Sequence, residues 1–430
     1  MNTDVKCSDI IDNKIIIDNK EIFDKIHRKN KDKYLKYDFD DLINIPVVIN
    51  ICLTYSDYSI DFIKYCNYLI KILNDGFGGK IDSKYKNPEY SQEYFSQLVG
   101  SEPNGKIIYD YINYKFDTKI RFHLKSIEYF DKNFEYNFLK NKTSTEELIK
   151  NFYLNGFTIK SENKNCLNIN LVKFSCDTLG VSTFPWIKHI LKINNYPMLV
   201  FIDYKTINPE ISSNKFNKCR TLIHEVGHVF GLKHIFGCKP DSILSYKFIL
   251  GETIFKNIFG TNTDENNNSI IKLYPDIPIQ KKPTLINPIE KNKFDIYKDI
   301  PVNFACFMDY SPDEVLTHFT NSQILIMRNI INIYKPKLIT KYKFYKEKYI
   351  KLYLPEGYII DKSSDKFLIK KLKEHKNYEY KISYFDNQYL ISNEYKIIKP
   401  RNILEYKTTN KNIENNISTI DKLKSIISII

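Results

Sequence analysis

The sequence predicts an α+β chain: a twisted mixed sheet with two long helices, set over a more irregular C-terminal subdomain, with a small β-rich module at the end. Three observations predict it. Segments of strand and helix character alternate up to about residue 235. From 236 to about 300 the periodicity fades, and it returns as a helical pattern at 317–334. Beyond Pro336 the chain is rich in Tyr, Ile and Lys with hairpin-like breaks.

Residues 1 to about 40 are polar and read as irregular, with short helical stretches at best. "IPVVINICLTY" (45–55) is β-branched and apolar, the pattern of a buried strand. "IDFIKYCNYLIKILNDGF" (60–77) spaces its apolar residues for a helix that stops at Asn-Asp-Gly. "TKIRFHLKSIEYF" (118–130) alternates and predicts a second strand. "TSTEELIKNFY" (143–153) opens with Thr/Ser and carries glutamates in its first turn, a helix start. "CLNINLVKF" (166–174) is a further strand, "LGVSTFP" (179–185) a short or edge strand stopped by Pro185, and "YPMLVFIDY" (196–204) a buried strand. "NKCRTLIHEVGHVFGL" (217–232) is helical up to a glycine. The expected domains are an N-terminal extension or pro-segment (1–41), a main domain (42–337, upper part 42–235 and lower part 236–337) and an accessory module (338–430).

A length of 430 residues with 43% hydrophobic residues suits two or three domains with a real core. The net charge is +13, from 64 Lys+Arg against 51 Asp+Glu. The lysines are spread along the chain with Asn and Ile, not gathered in a block, so no specific nucleic-acid partner is expected. No segment approaches the roughly 18 apolar residues of a membrane span. The first residues carry acids and asparagines where a signal peptide needs an apolar run, which favours cytoplasm or virion over standard secretion. The 8 cysteines include no CxxC pair, so a finger-type zinc site is not indicated.

"HEVGHVFGLKH" (224–234) concentrates three of the chain's 8 histidines. On a helix, His224 and His228 lie one turn apart on one face and can reach one ion. Neutral imidazole nitrogens bind Zn²⁺ at about 2.0–2.1 Å. Glu225 sits beside the metal rather than on it, where a carboxylate can take a proton from the attacking water and pass it to the leaving amine. Gly231 lets the backbone leave the helix, and His234 can then supply a third nitrogen. Three protein ligands leave a position open, the arrangement of a catalytic zinc site.

The pattern HExxHxxGxxH resembles the signature of the metzincin zinc metallopeptidases. That clan carries a methionine turn, which "NFACFMDYSPDEVLTHFTNSQILIMR" (303–328) resembles at Met308-Asp309-Tyr310. The same stretch is close to the form of the pappalysin-like branch. "LGVSTFP" is similar to that branch's LGYAxFP, "LNDGF" to its LNxDF, "RTLIHEVGH" to its helix entry, and "PDIP" (275–278) stands at its DTP loop. The resemblance spans about residues 42–337.

It implies a zinc-dependent endopeptidase of metzincin fold acting on protein or peptide substrates. His224, His228 and His234 would bind Zn²⁺ and Glu225 would be the general base. Met308 would form an apolar floor, a role that overlaps with plain core packing. Tyr310 would point toward the metal and serve the tetrahedral intermediate, and LGVSTFP would be the edge on which a peptide lies as an added strand. Cys219 replaces the Gly usual before Arg-Thr-Leu, a small-for-small change. Cys238 and Cys306 could pair. Asp264, Glu265 and Asp276 fall where relatives often bind calcium, and solvated loop carboxylates are the expectation. Cys7 could coordinate zinc as a thiolate or be inert, and the inert thiol is the expectation. The alternative is an inactive, zinc-stabilised binding or virion protein with a peptidase fold, but the complete set of motif residues speaks for activity.

Overall fold

A computed structural model describes residues 13–397, except 35–40, 55–61, 137–144, 156, 158, 160–162, 164, 176, 191–196, 208–214, 261–271, 339–348, 355–357, 362–367, 372–377, 386–387 and 392–395. It is a mixed α/β structure around one mostly parallel sheet. Cys7, Asp264 and Glu265 lie outside the described residues.

The strands are β1 (Ile43–Ile51), β2 (Ile120–Tyr129), β3 (Leu167–Phe174), β4 (Gly180–Ser182), β5 (Met198–Asp203), β6 (Tyr349–Tyr353), β7 (Tyr378–Phe385) and β8 (Gln388–Ile391). They follow the order β8-β7-β6-β2-β1-β3-β5-β4 in a ten-stranded sheet that also takes in the two-residue strands Glu135–Tyr136 and Lys396–Ile397. The central strand β1 runs parallel to β2 and β3, and β3 runs parallel to β5. Burial on both faces explains why "PVVINI" and "MLVFID" read as continuous apolar runs rather than alternating ones. Short β4 turns antiparallel to β5 and ends the sheet.

Among the described residues, the α-helices of six or more residues are α1 (Asn13–Asp18), α2 (Lys20–Tyr34), α3 (Phe62–Phe77), α4 (Gln92–Val99), α5 (Glu102–Asn113), α6 (Thr145–Leu154), α7 (Arg220–Val229), α8 (Pro240–Leu250), α9 (Glu252–Phe259) and α10 (Asn321–Tyr334). Helix α3 fixes the register of β2 through one residue of "LNDGF". Asn74 donates to Phe122 O at 2.9 Å and accepts from Phe122 N at 2.9 Å. Gly76 in the same motif lets α3 approach α7, since a Cβ there would lie 2.6 Å from Ile223 Cδ1. Phe77 then packs on Phe122, Phe230 and Phe319 between helices and sheet. A smaller cluster around Phe95, Ile108, Ile289 and Phe304 closes the far end.

Three expectations change. Of the N-terminal segment, the described residues 13–34 are helical and pack into the core: Ile16 and Phe23 are fully buried, and a His27 ring nitrogen lies 2.8 Å from Phe248 O. The stretch after residue 236 is not wholly irregular but contains α8 and α9. Helix α8 packs against α1, α2, α9 and α10, so its apolar residues ring it instead of forming the stripe that marks a surface helix. After residue 338, strands β6, β7 and β8 extend the main sheet, with β6 parallel to β2 from Ser126↔Lys351 to Glu128↔Tyr353, while Tyr358–Asp361 and Leu368–Lys371 pair in a separate two-stranded sheet. Among the described residues, no helix is long and apolar enough to cross a membrane.

Candidate metal centre

Helix α7 starts at Cys219, whose φ of 60° places it in the left-handed region. Glycine adopts that conformation without a Cβ clash, so a cysteine there is less neutral than its size alone suggests. The Cys219 thiol is buried and lies 3.2 Å from Ile207 O. Asp313 supplies the cap: its Oδ2 accepts from Lys218 N at 2.7 Å and Arg220 N at 3.3 Å, a carboxylate at the positive end of the helix. Burial raises the Asp313 carboxyl to about 6 against the opposing pull of Arg220 and these backbone donors.

The helix ends at Val229, and Gly231 turns the chain with φ 89°. A Cβ at Gly231 would also lie 2.2 Å from Ile330 Cδ1, so both conformation and space demand glycine. That turn carries His234 back toward the helix. The Nε2 atoms of His224, His228 and His234 come within 3.1, 3.1 and 3.2 Å of one another. All three rings are buried. His224 Nδ1 lies 2.7 Å from Phe307 O, and His228 Nδ1 lies 2.7 Å from Leu232 O. A carbonyl only accepts, so each Nδ1 carries the hydrogen and each Nε2 turns a lone pair inward. In neutral rings two such lone pairs at 3.1 Å repel; a shared cation removes the conflict. Tetrahedral Zn–N bonds of about 2.0–2.1 Å place ligand nitrogens about 3.3 Å apart, within a few tenths of the observed spacing. The three histidines therefore form a group able to hold one metal ion.

Glu225, 1% exposed, faces the edge strand. Ser182 Oγ donates to its Oε2 at 2.7 Å. Gly180, two residues earlier on the same strand face, leaves it room: a Cβ there would lie 2.8 Å from Glu225 Cγ and 3.0 Å from Oε1. Neither contact is evident from the sequence; the only signal is that Ser182 stands where the LGYAxFP pattern has Ala.

Met308 is fully buried, and a Cβ on Gly227 would lie 2.7 Å from its Sδ. Its thioether thus fits against the helix turn between the first two histidines because Gly227 has no side chain. The Tyr310 ring is 5.6 Å from His224, 4.9 Å from His234 and 4.9 Å from Phe236, centroid to centroid. Asp309 is buried behind the turn and accepts from Thr284 N at 3.0 Å, Tyr310 N at 2.8 Å and the Gln280 amide at 3.1–3.2 Å. Burial raises its carboxyl to about 6 despite those donors. A cleft beside His224 and Glu225 is lined by Leu179, Phe216, Thr221, Tyr310 and Leu316.

Cys238 and Cys306 are buried free thiols, not a disulfide. The Cys306 thiol is pushed up to about 12 by burial. Asp276, of the "PDIP" loop, caps α10: it accepts from Ser322 N at 2.8 Å and Thr320 Oγ1 at 3.0 Å.

No protein-family profile matches the chain. An uncharacterized protein of Acanthamoeba polyphaga mimivirus is 24% identical over 337 residues, which are 73% of this chain. The chain covers about a third (34%) of that relative's length. Among solved structures, a Tannerella forsythia promirolysin mutant is similar at 19% identity, covering 76% of this chain and 94% of that one with a TM-score of 0.47. Mirolysin in complex with a small compound is 20% identical, covering 69% and 94% with a TM-score of 0.42. Mature T. forsythia mirolysin in complex with a cleaved peptide is 19% identical, covering 70% and 99% with a TM-score of 0.41.

Proposed function

We propose that this chain is a zinc-dependent endopeptidase of metzincin type, on the pappalysin-like branch, with His224, His228 and His234 as metal ligands and Glu225 as general base. The observation that carries this reading is the convergence of three buried Nε2 atoms to 3.1–3.2 Å beside a buried carboxylate. The motifs at 224–234 and 303–328 support the narrower family assignment. Zinc held there would act as a Lewis acid on the scissile carbonyl and acidify a water.

The chain's own residues account for the rest. Ser182 holds the Glu225 carboxylate in one orientation, so the base does not reorganise when it takes a proton from the attacking water. The same carboxyl then protonates the leaving amine. Tyr310, partly exposed on the cleft wall, would donate its hydroxyl hydrogen to the oxyanion as charge develops. Strand β4, at the end of the sheet, would pair with an extended peptide and lay its scissile bond across the metal. Met308 keeps the floor apolar. Residues 42–337 would form the peptidase unit, and the strands after 338 would widen its sheet.

The test joins metal analysis to a peptide-library digest. Wild type should hold about one zinc per chain and cleave peptides, while Glu225→Gln should keep fold and zinc but lose nearly all hydrolysis. Hydrolysis by Glu225→Gln at the wild-type rate would remove Glu225 from the mechanism. A wild-type chain that refuses zinc would end the reading.

A further inference from the structure

His224 and His228 are set by one helix, but His234 lies beyond a reversal of the chain. Something must fix residues 231–233 if the third nitrogen is to meet the other two. Two buried tyrosines from elsewhere in the chain do so. Tyr246, on α8, donates its hydroxyl hydrogen to Gly231 O at 2.9 Å. Tyr274, just before the "PDIP" loop, donates to Lys233 O at 2.7 Å. Each phenol has one hydrogen, so both are then spent. The two oxygens, 3.2 Å apart, remain acceptors, and both face Lys233 N, at 3.1 Å from Tyr246 and 2.9 Å from Tyr274.

The side chain of Lys233 continues the arrangement. Its ammonium lies 4.9 Å from the Tyr246 ring centroid, donates to Ser242 O at 3.3 Å, and also bonds Ser245 Oγ and Asn13 Oδ1. Asn13 in turn donates to Ser242 Oγ at 3.2 Å, which ties the N-terminal helix to α8. A tyrosine that merely filled the core would need one partner for its hydroxyl. Here both hydroxyls donate to and accept from the residues between the second and third histidines.

We propose that Tyr246 and Tyr274, with the Lys233 ammonium anchored to α8 and Asn13, form a positioning device that presets His234 for a metal ion, an inference that rests on the zinc reading above. They act through the 231–233 backbone and are positioning residues, not ligands.

The experiment measures zinc affinity by competition with a chromophoric chelator, together with melting of the metal-free protein. The variants are Tyr246→Phe, Tyr274→Phe, the double variant and Tyr334→Phe. Tyr334 is the control: it is buried and donates to Ile249 O at 2.9 Å, away from the histidine loop. The double variant is expected to lose roughly 10-fold or more in zinc affinity, with each single variant intermediate and Tyr334→Phe unchanged. The visible spectrum of the cobalt-substituted protein should shift in the double variant and not in the control. Should the double variant fail to fold, the two single variants decide by the same comparison. Zinc affinity within about twofold of wild type, or a loss no greater than that of Tyr334→Phe, would overturn the proposal while leaving the zinc reading intact. Absence of zinc from wild type would remove the underlying reading and this device with it.

Discussion

Gly180→Ala probes the Glu225 carboxylate without touching a ligand or the carboxylate itself. The added Cβ would lie 2.8 Å from Glu225 Cγ, 3.0 Å from Glu225 Oε1 and 3.0 Å from Ile202 Cδ1. Ordinary carbon contacts are about 3.5–4.0 Å, so neighbours on both sides must yield by up to about 1 Å. The Ile202 Cδ1 tip can turn aside, but relief on the other side requires a shift of Glu225. Moving it breaks the 2.7 Å bond from Ser182. Overpacking of this kind costs about 1–3 kcal/mol of stability, and an error of about 1 Å in a reacting group costs on the order of 100-fold in rate. Backbone strain contributes nothing, because φ at Gly180 lies outside the left-handed region. The assay is kcat on a cleavable peptide at saturating zinc, read beside zinc stoichiometry and thermal melting. The expected result is about one zinc per chain, a modest loss of melting temperature and a fall in kcat of about 100-fold. Adding Ile202→Val, which removes the opposing Cδ1, should restore part of the rate. A kcat within about threefold of wild type would refute the claim that Gly180 is small for the sake of Glu225.

His318 is buried with Nε2 3.1 Å from the Asn303 amide nitrogen and Nδ1 2.9 Å from Thr317 Oγ1, and burial lowers it from 6.5 to about 3. The unfolded chain therefore takes up a proton before the folded one does, and this residue's contribution to stability is whole above pH 6.5 and lost as pH falls toward 3. Urea melts at about pH 7 and pH 5 should show wild type losing about 2 kcal/mol more than His318→Gln, and parallel losses would show that the ring is not held neutral. Asp276→Ala removes the carboxylate that accepts from Ser322 N in the first turn of α10, beside the Thr320–Gln323 capping box, and should cost about 1 kcal/mol of unfolding free energy, with zinc content unchanged and no response to added calcium. Calcium-dependent stability in wild type, abolished by this variant, would make Asp276 a calcium ligand instead.

The central strands and helix α3 were legible because each carries its own period or apolar run, and their bounds fall within a few residues of those expected. Helices α4 and α5 bear readable signals too, since Ser91 and Ser101 cap them and Gly100 ends the first with φ 65°. They lie in a stretch for which the apolar pattern alone suggested nothing. Helix α2 was hidden differently: in "KEIFDKIHRKNKDKY" only Ile22, Phe23 and Ile26 are apolar, and a partner surface, not propensity, holds it. The parallel pairing of β6 with β2 joins residues more than 200 positions apart, and no local pattern encodes it.

The candidate site divides along the same line. The three imidazoles and the Glu225 carboxylate sit within eleven positions, because one helical turn and one glycine bend suffice to aim three imidazoles inward. The residues that aim them come from far away. Ser182 reaches Glu225 across 43 positions, Phe307 reaches His224 across 83, and Asp313 caps α7 across 93. A motif match therefore tests whether the reacting groups are present, whereas a working site needs the carboxylate, carbonyl and hydroxyl partners that only the fold assembles. Those partners are where a protein that had kept the motif but given up turnover would first diverge. In this chain the carbonyls fix both imidazole tautomers, and Ser182 and Gly180 together hold and accommodate Glu225. A purely structural zinc site needs the first pair of contacts but has no use for the second. The arrangement around Glu225, more than the histidines, is what argues for a reaction at this candidate metal centre.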